Sequence, residues 1–285
     1  NELSNAGFVA LVSCDNITVK NLNLEHNSHG VLLINTSNSG ILNNNASSNN
    51  FGIYLGSSSN NTLARNNVNL NYEHGIYLVS SSNNTLIGNN VDSNRVGIYL
   101  WYSSDNTLTN NNANSNTVGI HLWYSSDNTL IGNNASSNLK GIYLYSSSYN
   151  TLTGNNVNSN NYGIYILDNS NFNEILNNEI SNNKETGITI SNCDPWGGCY
   201  DGNSNNTIEG NKISNNKIGI FSQKSNSIIN SNFVCGNTNY DFYSDNWLSS
   251  SGDNNRCNNS DGWNDKGITG CTYSCNCTPF DLDGN

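Results

Sequence analysis

Apolar and polar residues alternate in short runs that return on a fixed period. The run Gly-Ile-Tyr-Leu stands at Gly52-Ile53-Tyr54-Leu55, Gly75-Ile76-Tyr77-Leu78, Gly97-Ile98-Tyr99-Leu100 and Gly141-Ile142-Tyr143-Leu144. Near copies start at Gly7, Gly30, Gly119, Gly163, Gly187 and Gly219. The spacing is 22 or 23 residues as far as Gly163, then 24 and 32. A period of this size means a stack of small units, each burying its neighbours. In the unit that starts at Gly75, Ile76 and Leu78 flank Tyr77 in the period-2 pattern of a strand. Thr85-Leu86-Ile87 and Asn89-Asn90-Val91 give two more short strands, and nothing between them favours a helix. The pattern predicts an all-β fold, a right-handed three-stranded parallel β-helix of about ten coils.

Four columns are candidates for the core. They are Val31, Ile53, Ile76 and Ile98 with their successors; Leu33, Leu55, Leu78 and Leu100; Ile41, Leu63, Leu86 and Leu108; and Ala46, Val68, Val91 and Ala113. Two Asn columns run beside them, Asn45-67-90-112-134-156-178 and Asn49-71-94-116-138-160-182. Asn tolerates left-handed turns and can stack into amide ladders, so both columns read as structural. The coil is expected over residues 1–245, with an inserted loop at 192–204 and a loop-rich, Cys-rich cap over 246–285.

Composition alone leans towards disorder, with 34% hydrophobic and 11% charged residues, but the period supplies a core. The net charge of −11 argues against nucleic acid and anionic lipid as partners. No run is apolar enough to span a bilayer. The chain starts at Asn1 without an initiator Met and reads as processed or trimmed. Eight cysteines suggest an oxidising compartment, extracellular or at the cell surface. Cys193 and Cys199 are expected to pair across the inserted loop, leaving Cys235, Cys257, Cys271, Cys275 and Cys277 at one end and Cys14 at the other. The Cys271–Cys277 spacing does not match a zinc finger, so disulfides are the better reading. The odd count allows Cys14 to bridge head to tail to a second molecule.

Asn-x-Ser/Thr sequons at Asn16, Asn35, Asn60, Asn83, Asn205, Asn258 and Asn276 are candidate glycan acceptors. Asn45 and Asn134 also carry the motif but would be poor acceptors if they pointed inward.

The repeat Asn-Asn-Thr-Leu-x-Gly-Asn-Asn-Val-x-Ser-Asn…Gly-Ile-Tyr-Leu, over roughly Gly7 to Phe242, resembles the NosD-like right-handed β-helix family of the pectin-lyase-like superfamily. The Cys-containing tail is similar to the ends of secreted or surface β-helix proteins, many of them archaeal. The resemblance implies fold and an extracellular setting; its superfamily mixes enzymes, adhesins and inert surface proteins.

An outward aromatic stripe is the most distinctive surface feature: Tyr77, Tyr99, His121 and Tyr143, flanked by Trp101, Tyr102, Trp123, Tyr124 and Tyr145. Such a stripe either stacks within its own sheet, packs on protein, or binds sugar. Asp105 and Asp127, one coil apart, are weak catalytic candidates with His121, and solvated turn residues are the better reading. His29 and His74 stand two coils apart, too far to share an ion, so no metal site is assigned; Ca²⁺ stays open as the one possible cofactor. Asp281-Leu282-Asp283-Gly284-Asn285 begins like a Ca²⁺ loop but lacks its later ligands. The first functional expectation is therefore a non-catalytic filament or surface-array subunit whose partner is itself. The alternatives are a polysaccharide-active lyase, hydrolase or epimerase, and a module that binds cell-surface glycans.

Overall fold

A computed structural model describes residues 7–193, 204–247 and 250–275. The described chain has no helix and winds into a parallel β-solenoid of eleven coils. Two eleven-stranded sheets run its length, the first from Val9–Val12 to Tyr240–Ser244 and the second from Thr18–Lys20 to Ser251–Asp253. Every strand pairs in parallel with the equivalent strand of the next coil, so Ile76 meets Ile98 and Leu86 meets Leu108. The third side is mostly a column of single bridges from Asn23 to Asn156 and widens to a three-stranded sheet only in the last coils.

The four expected apolar columns fill the interior. Ile98, Leu100, Leu108 and Ala113 of one coil are completely buried, as are their counterparts above and below. Gly97 shows why glycine opens each unit: a Cβ there would meet the Gly119 carbonyl at 2.6 Å and the Asn116 amide nitrogen at 2.8 Å.

Buried amide ladders occupy three corners. The column Asn49-71-94-116-138-160 is buried as expected, and continues at Asn183 rather than Asn182 because one coil holds an extra residue. The other expected column also forms a ladder, but on the outside, and a buried ladder runs one position before it and takes in its Asn178. Asn44, Asn66, Asn89, Asn111, Asn133, Asn155 and Asn178 are buried, whereas Asn45, Asn67 and Asn90 bond to one another on the outside. A one-residue shift in a strand exchanges its two faces, and Asn-Asn pairs conceal which member points inward. A third ladder, Asn61-84-106-128-150-173-206, was not anticipated.

Each ladder has a direction. The Asn111 backbone N–H and side-chain amide both donate to Asn133 Oδ1 at 3.0 Å, while the amide also donates back to the Leu86 carbonyl at 2.9 Å. Donors thus point towards the C-terminus, and the last partner must be a pure acceptor. Asp265 takes that place for the ladder ending at Asn255, and Asp241 for the one ending at Asn237.

The coil continues beyond residue 245 into the segment expected to be only a cap. Ser251–Asp253 completes the second sheet and Arg256 bridges Phe233. Trp263, 1% exposed, then lies flat on Phe242 at 5.4 Å, and the disulfides Cys235–Cys275 and Cys257–Cys271 tie the end down. Cys14 is a free, half-buried thiol. Cys199, Cys277, Asn276 and the segment 281–285 lie outside the described residues, so the Cys193–Cys199 pairing does too.

Candidate functional site

The first sheet sets its outward residues in three adjacent columns. The middle column stacks Tyr77 on Tyr99 (4.9 Å, 6°), Tyr99 on His121 (4.8 Å, 10°) and His121 on Tyr143 (4.5 Å, 12°). Parallel strands in register bring like side chains one strand spacing apart, close to the distance at which rings touch. Rings that face one another along the axis hide their faces and present only edges. His121 is therefore 7% exposed, and Tyr143 and Tyr145 are 8% exposed, so these three are not part of an open surface as the sequence suggested. The hydroxyls of Tyr77, Tyr99 and Tyr143 make no hydrogen bond among the described residues.

Open ring surface lies one column further on, where the sheet turns a corner. Trp101 is 38%, Tyr102 54% and Tyr124 42% exposed, with Trp123 half-buried between them. Tyr102 and Tyr124 stack at 5.0 Å, while Trp101 tilts against Tyr102 at 5.6 Å and Trp123 meets Tyr145 edge-on at 5.3 Å. Tyr102 and Tyr124 hold left-handed turn geometry, φ 48° and 49°, which swings both side chains off the sheet.

On the other flank, Lys140 Nζ sits 3.8 Å from the Tyr143 ring centre and 4.8 Å from that of Tyr165. It has no carboxylate partner among the described residues. Sequence reading gave Lys140 no role; the sign available was a lone cation in a strand position that the other coils fill with uncharged or aromatic residues such as His74, Val118 and Tyr162.

Burial governs the electrostatics. It pushes His121 down to about 3, helped by the charges of Lys140 and His74. It takes His74 down to about 4 and lowers Lys140. The phenols move the other way, Tyr77 to about 12, with Tyr99 and Tyr143 also raised, burial being the main cause for each. The buried His121 Nε2 and Trp123 Nε1 have no hydrogen-bond partner.

Asp105 and Asp127 do not join this group. Both are exposed left-handed turn residues (φ 57° and 58°), and neither side chain bonds to His121 or to any other described residue. They stand beyond the corner, away from the strand that carries His121.

A family model described as periplasmic copper-binding protein (NosD) matches residues 1–112 and 71–196. No curated protein matches the sequence. Among solved structures, the A-module of the mannuronan C-5 epimerase AlgE4 of Azotobacter vinelandii is similar at 22% identity and TM-score 0.67, over 76% of this chain and 69% of that one. The Dettilon tailspike protein gp208 is similar at 14% and 0.65, over 87% and 57% of the two chains. The periplasmic alginate epimerase AlgG is similar at 16% and 0.52, over 91% and 72%. At these identities the likeness is one of fold.

The family description names copper, and the described residues do not suit it. Phe51 stands between His29 and His74 (ring centres 5.2 and 5.5 Å), and Tyr99 stands between His74 and His121 (5.1 and 4.8 Å). His26 is out on an exposed turn, and the chain has no Met. Among the described residues no three His, Cys, Asp or Glu converge as copper ligands would. The imidazoles serve here as members of a ring stack.

Proposed function

Because this chain belongs to the NosD family, a family of periplasmic β-helix proteins, we propose that it works outside the cytoplasm and binds an extended polysaccharide along the aromatic corner of its first sheet. The reading rests above all on Trp101, Tyr102 and Tyr124, three exposed rings from two successive coils held on one rigid corner. Aromatic faces with polar edges stack on sugar rings, and a rigid platform loses little entropy on binding. The hydroxyls of Tyr77, Tyr99 and Tyr143 beside them, unbonded among the described residues, offer donors and acceptors in three of the four neighbouring coils. The disulfides accord with an oxidising compartment. Comparisons that include two polysaccharide epimerases favour the polysaccharide-active alternative over the filament subunit first expected from the monotony of the coils, and holding a polysaccharide is what that alternative shares with this reading.

The proposal is for binding rather than bond cleavage. His121 is buried within its ring stack, and Asp105 and Asp127 stand on exposed turns apart from it, so the catalytic candidates do not converge. Affinity electrophoresis through gels containing neutral or uronate polysaccharides tests the idea. Trp101→Ala and Tyr124→Ala should each weaken retention about tenfold, roughly 1.4 kcal/mol. Unchanged retention of both variants would discard the site.

One observation favours a second reading, action on a uronate chain: Lys140 is an unpaired cation beside a neutral imidazole and two phenols. Incubation with uronate polymers, with and without Ca²⁺, should then give epimerised or unsaturated residues that Lys140→Gln abolishes.

A further inference from the structure

We propose that N-glycosylation is confined to one edge of the rod, at Asn16, Asn60, Asn83 and Asn205, and is kept off the coils that carry the exposed rings. These four share one turn position between the first and second sheets. All have left-handed geometry (φ 56°, 56°, 58° and 40°), and all are exposed with side-chain amides that make no hydrogen bond. In each, the Thr two residues on enters the second sheet. The acceptor nitrogen is therefore free and stands clear of the rod.

Three of the remaining described sequons differ in that a hydrogen bond anchors the side-chain amide, through its nitrogen at Asn45 and through its oxygen at Asn134 and Asn258. The Asn45 amide donates to Asn23 and Glu25, Asn134 Oδ1 accepts from Ser136, and Asn258 Oδ1 accepts the Cys275 N–H at 2.8 Å. Asn35 is exposed, but its partner Ser37 donates its hydroxyl to Asp15 at 2.8 Å.

The same turn position in the intervening coils shows what is being avoided. The sequence there is Asn-Asn-Thr-Leu at 60–63 and 83–86, then Asp-Asn-Thr-Leu at 105–108 and 127–130, then Tyr-Asn-Thr-Leu at 149–152. Only the acceptor changes. Asp, like Asn, tolerates the left-handed turn, and Asp105 and Asp127 adopt it at φ 57° and 58°. A carboxylate, however, has no nitrogen to carry sugar. These are the coils of Trp101, Tyr102, Trp123 and Tyr124, and the next two carry the exposed Tyr149–Phe172 stack at 5.0 Å. A branched glycan at residue 105 or 127 would lie across the corner. This gives Asp105 and Asp127 a role without catalysis: they close a modification site.

In the transfer, the Asn amide nitrogen forms a bond to the anomeric carbon of a polyprenyl-phosphate-linked oligosaccharide. The anomeric carbon–oxygen bond to phosphate breaks, the polyprenyl phosphate leaves, and the amide proton passes to the transferase.

The keeping-off half of the proposal rests on the polysaccharide reading; the occupancy half does not. Site-resolved mass spectrometry of the protein from its own cells should find glycan at Asn16, Asn60, Asn83 and Asn205, with Asn35, Asn45, Asn134 and Asn258 bare. Asp105→Asn and Asp127→Asn, made in the same cells, should each gain a glycan and lose retention on polysaccharide gels at least tenfold. Release by a glycoamidase, which leaves Asp at the site, should restore it. Four bare edge sites, or equal occupancy at Asn35, Asn45, Asn134 and Asn258, overturns the proposal. A glycosylated Asp105→Asn chain that is still retained overturns the keeping-off half. If the unmodified protein is retained by no polysaccharide, the binding reading falls, and occupancy alone decides the modification pattern.

Discussion

Asn111 in the interior and Tyr124 on the corner each stack on a like residue one coil away, yet the two stacks are held by different forces. Asn111 accepts two hydrogen bonds from Asn89, at 3.0 and 2.9 Å, and gives two to Asn133, with no water to replace any of them. Tyr124 stacks on Tyr102 at 5.0 Å, meets Tyr145 of the next coil edge-on at 6.0 Å, and leaves 42% of its surface to solvent. In the interior, a closed network makes every coil pay for a change in one. On the corner, almost any residue that accepts a left-handed turn would serve, so the choice of ring there reports on function.

Substitutions can break that contrast or sharpen it. Asn111→Ala should have the largest effect. It orphans the buried Asn89 backbone N–H, takes from the Asn89 side-chain amide one of its two acceptors, and removes the amide that donates to the Leu86 carbonyl, at about 1–3 kcal/mol per orphaned group. The urea midpoint should fall by the equivalent of about 3 kcal/mol or more. Asp265→Ala comes next, because Asp265 receives Asn255, Trp263 and Thr272 donors, but at the rod's end water can partly replace it. A loss of about 2 kcal/mol is expected, with faster amide exchange confined to the C-terminal coils. Tyr124→Ala should cost about 1–2 kcal/mol, the scale of its stack on Tyr102 and its edge contact with Tyr145. A thermal melt showing a loss as large as that of Asn111→Ala would erase the distinction between interior and corner.

His121→Tyr should change least at neutral pH, since Tyr already fills this place in the coils on either side. Its signature is the pH profile. The folded His121 is depressed to about 3 by burial, so the unfolded chain takes up its proton first as pH falls from the ordinary value of 6.5. Stability is thus full above 6.5 and is lost between there and about 3. The Tyr variant should show a flatter melting temperature across that range, less than fully flat because His74 is depressed in the same sense.

The sequence by itself determined the solenoid, its period, its four apolar columns and the presence of a disulfide-tied end. A repeat that buries four apolar residues per coil, with glycine where backbones meet, has few other ways to hide its apolar groups. It also placed the aromatic stripe, because parallel in-register pairing copies sequence columns into space. Three matters were decided only by the tertiary structure. Which Asn of each Asn-Asn pair points inward depends on strand phase, which two identical residues cannot reveal. That His121, Tyr143 and Tyr145 are covered while Trp101, Tyr102 and Tyr124 are open depends on ring tilt and on where the sheet turns its corner. That Asp105 and Asp127 stand apart from His121 depends on the same corner: a few residues of chain are enough to carry a side chain from one face of the rod to another.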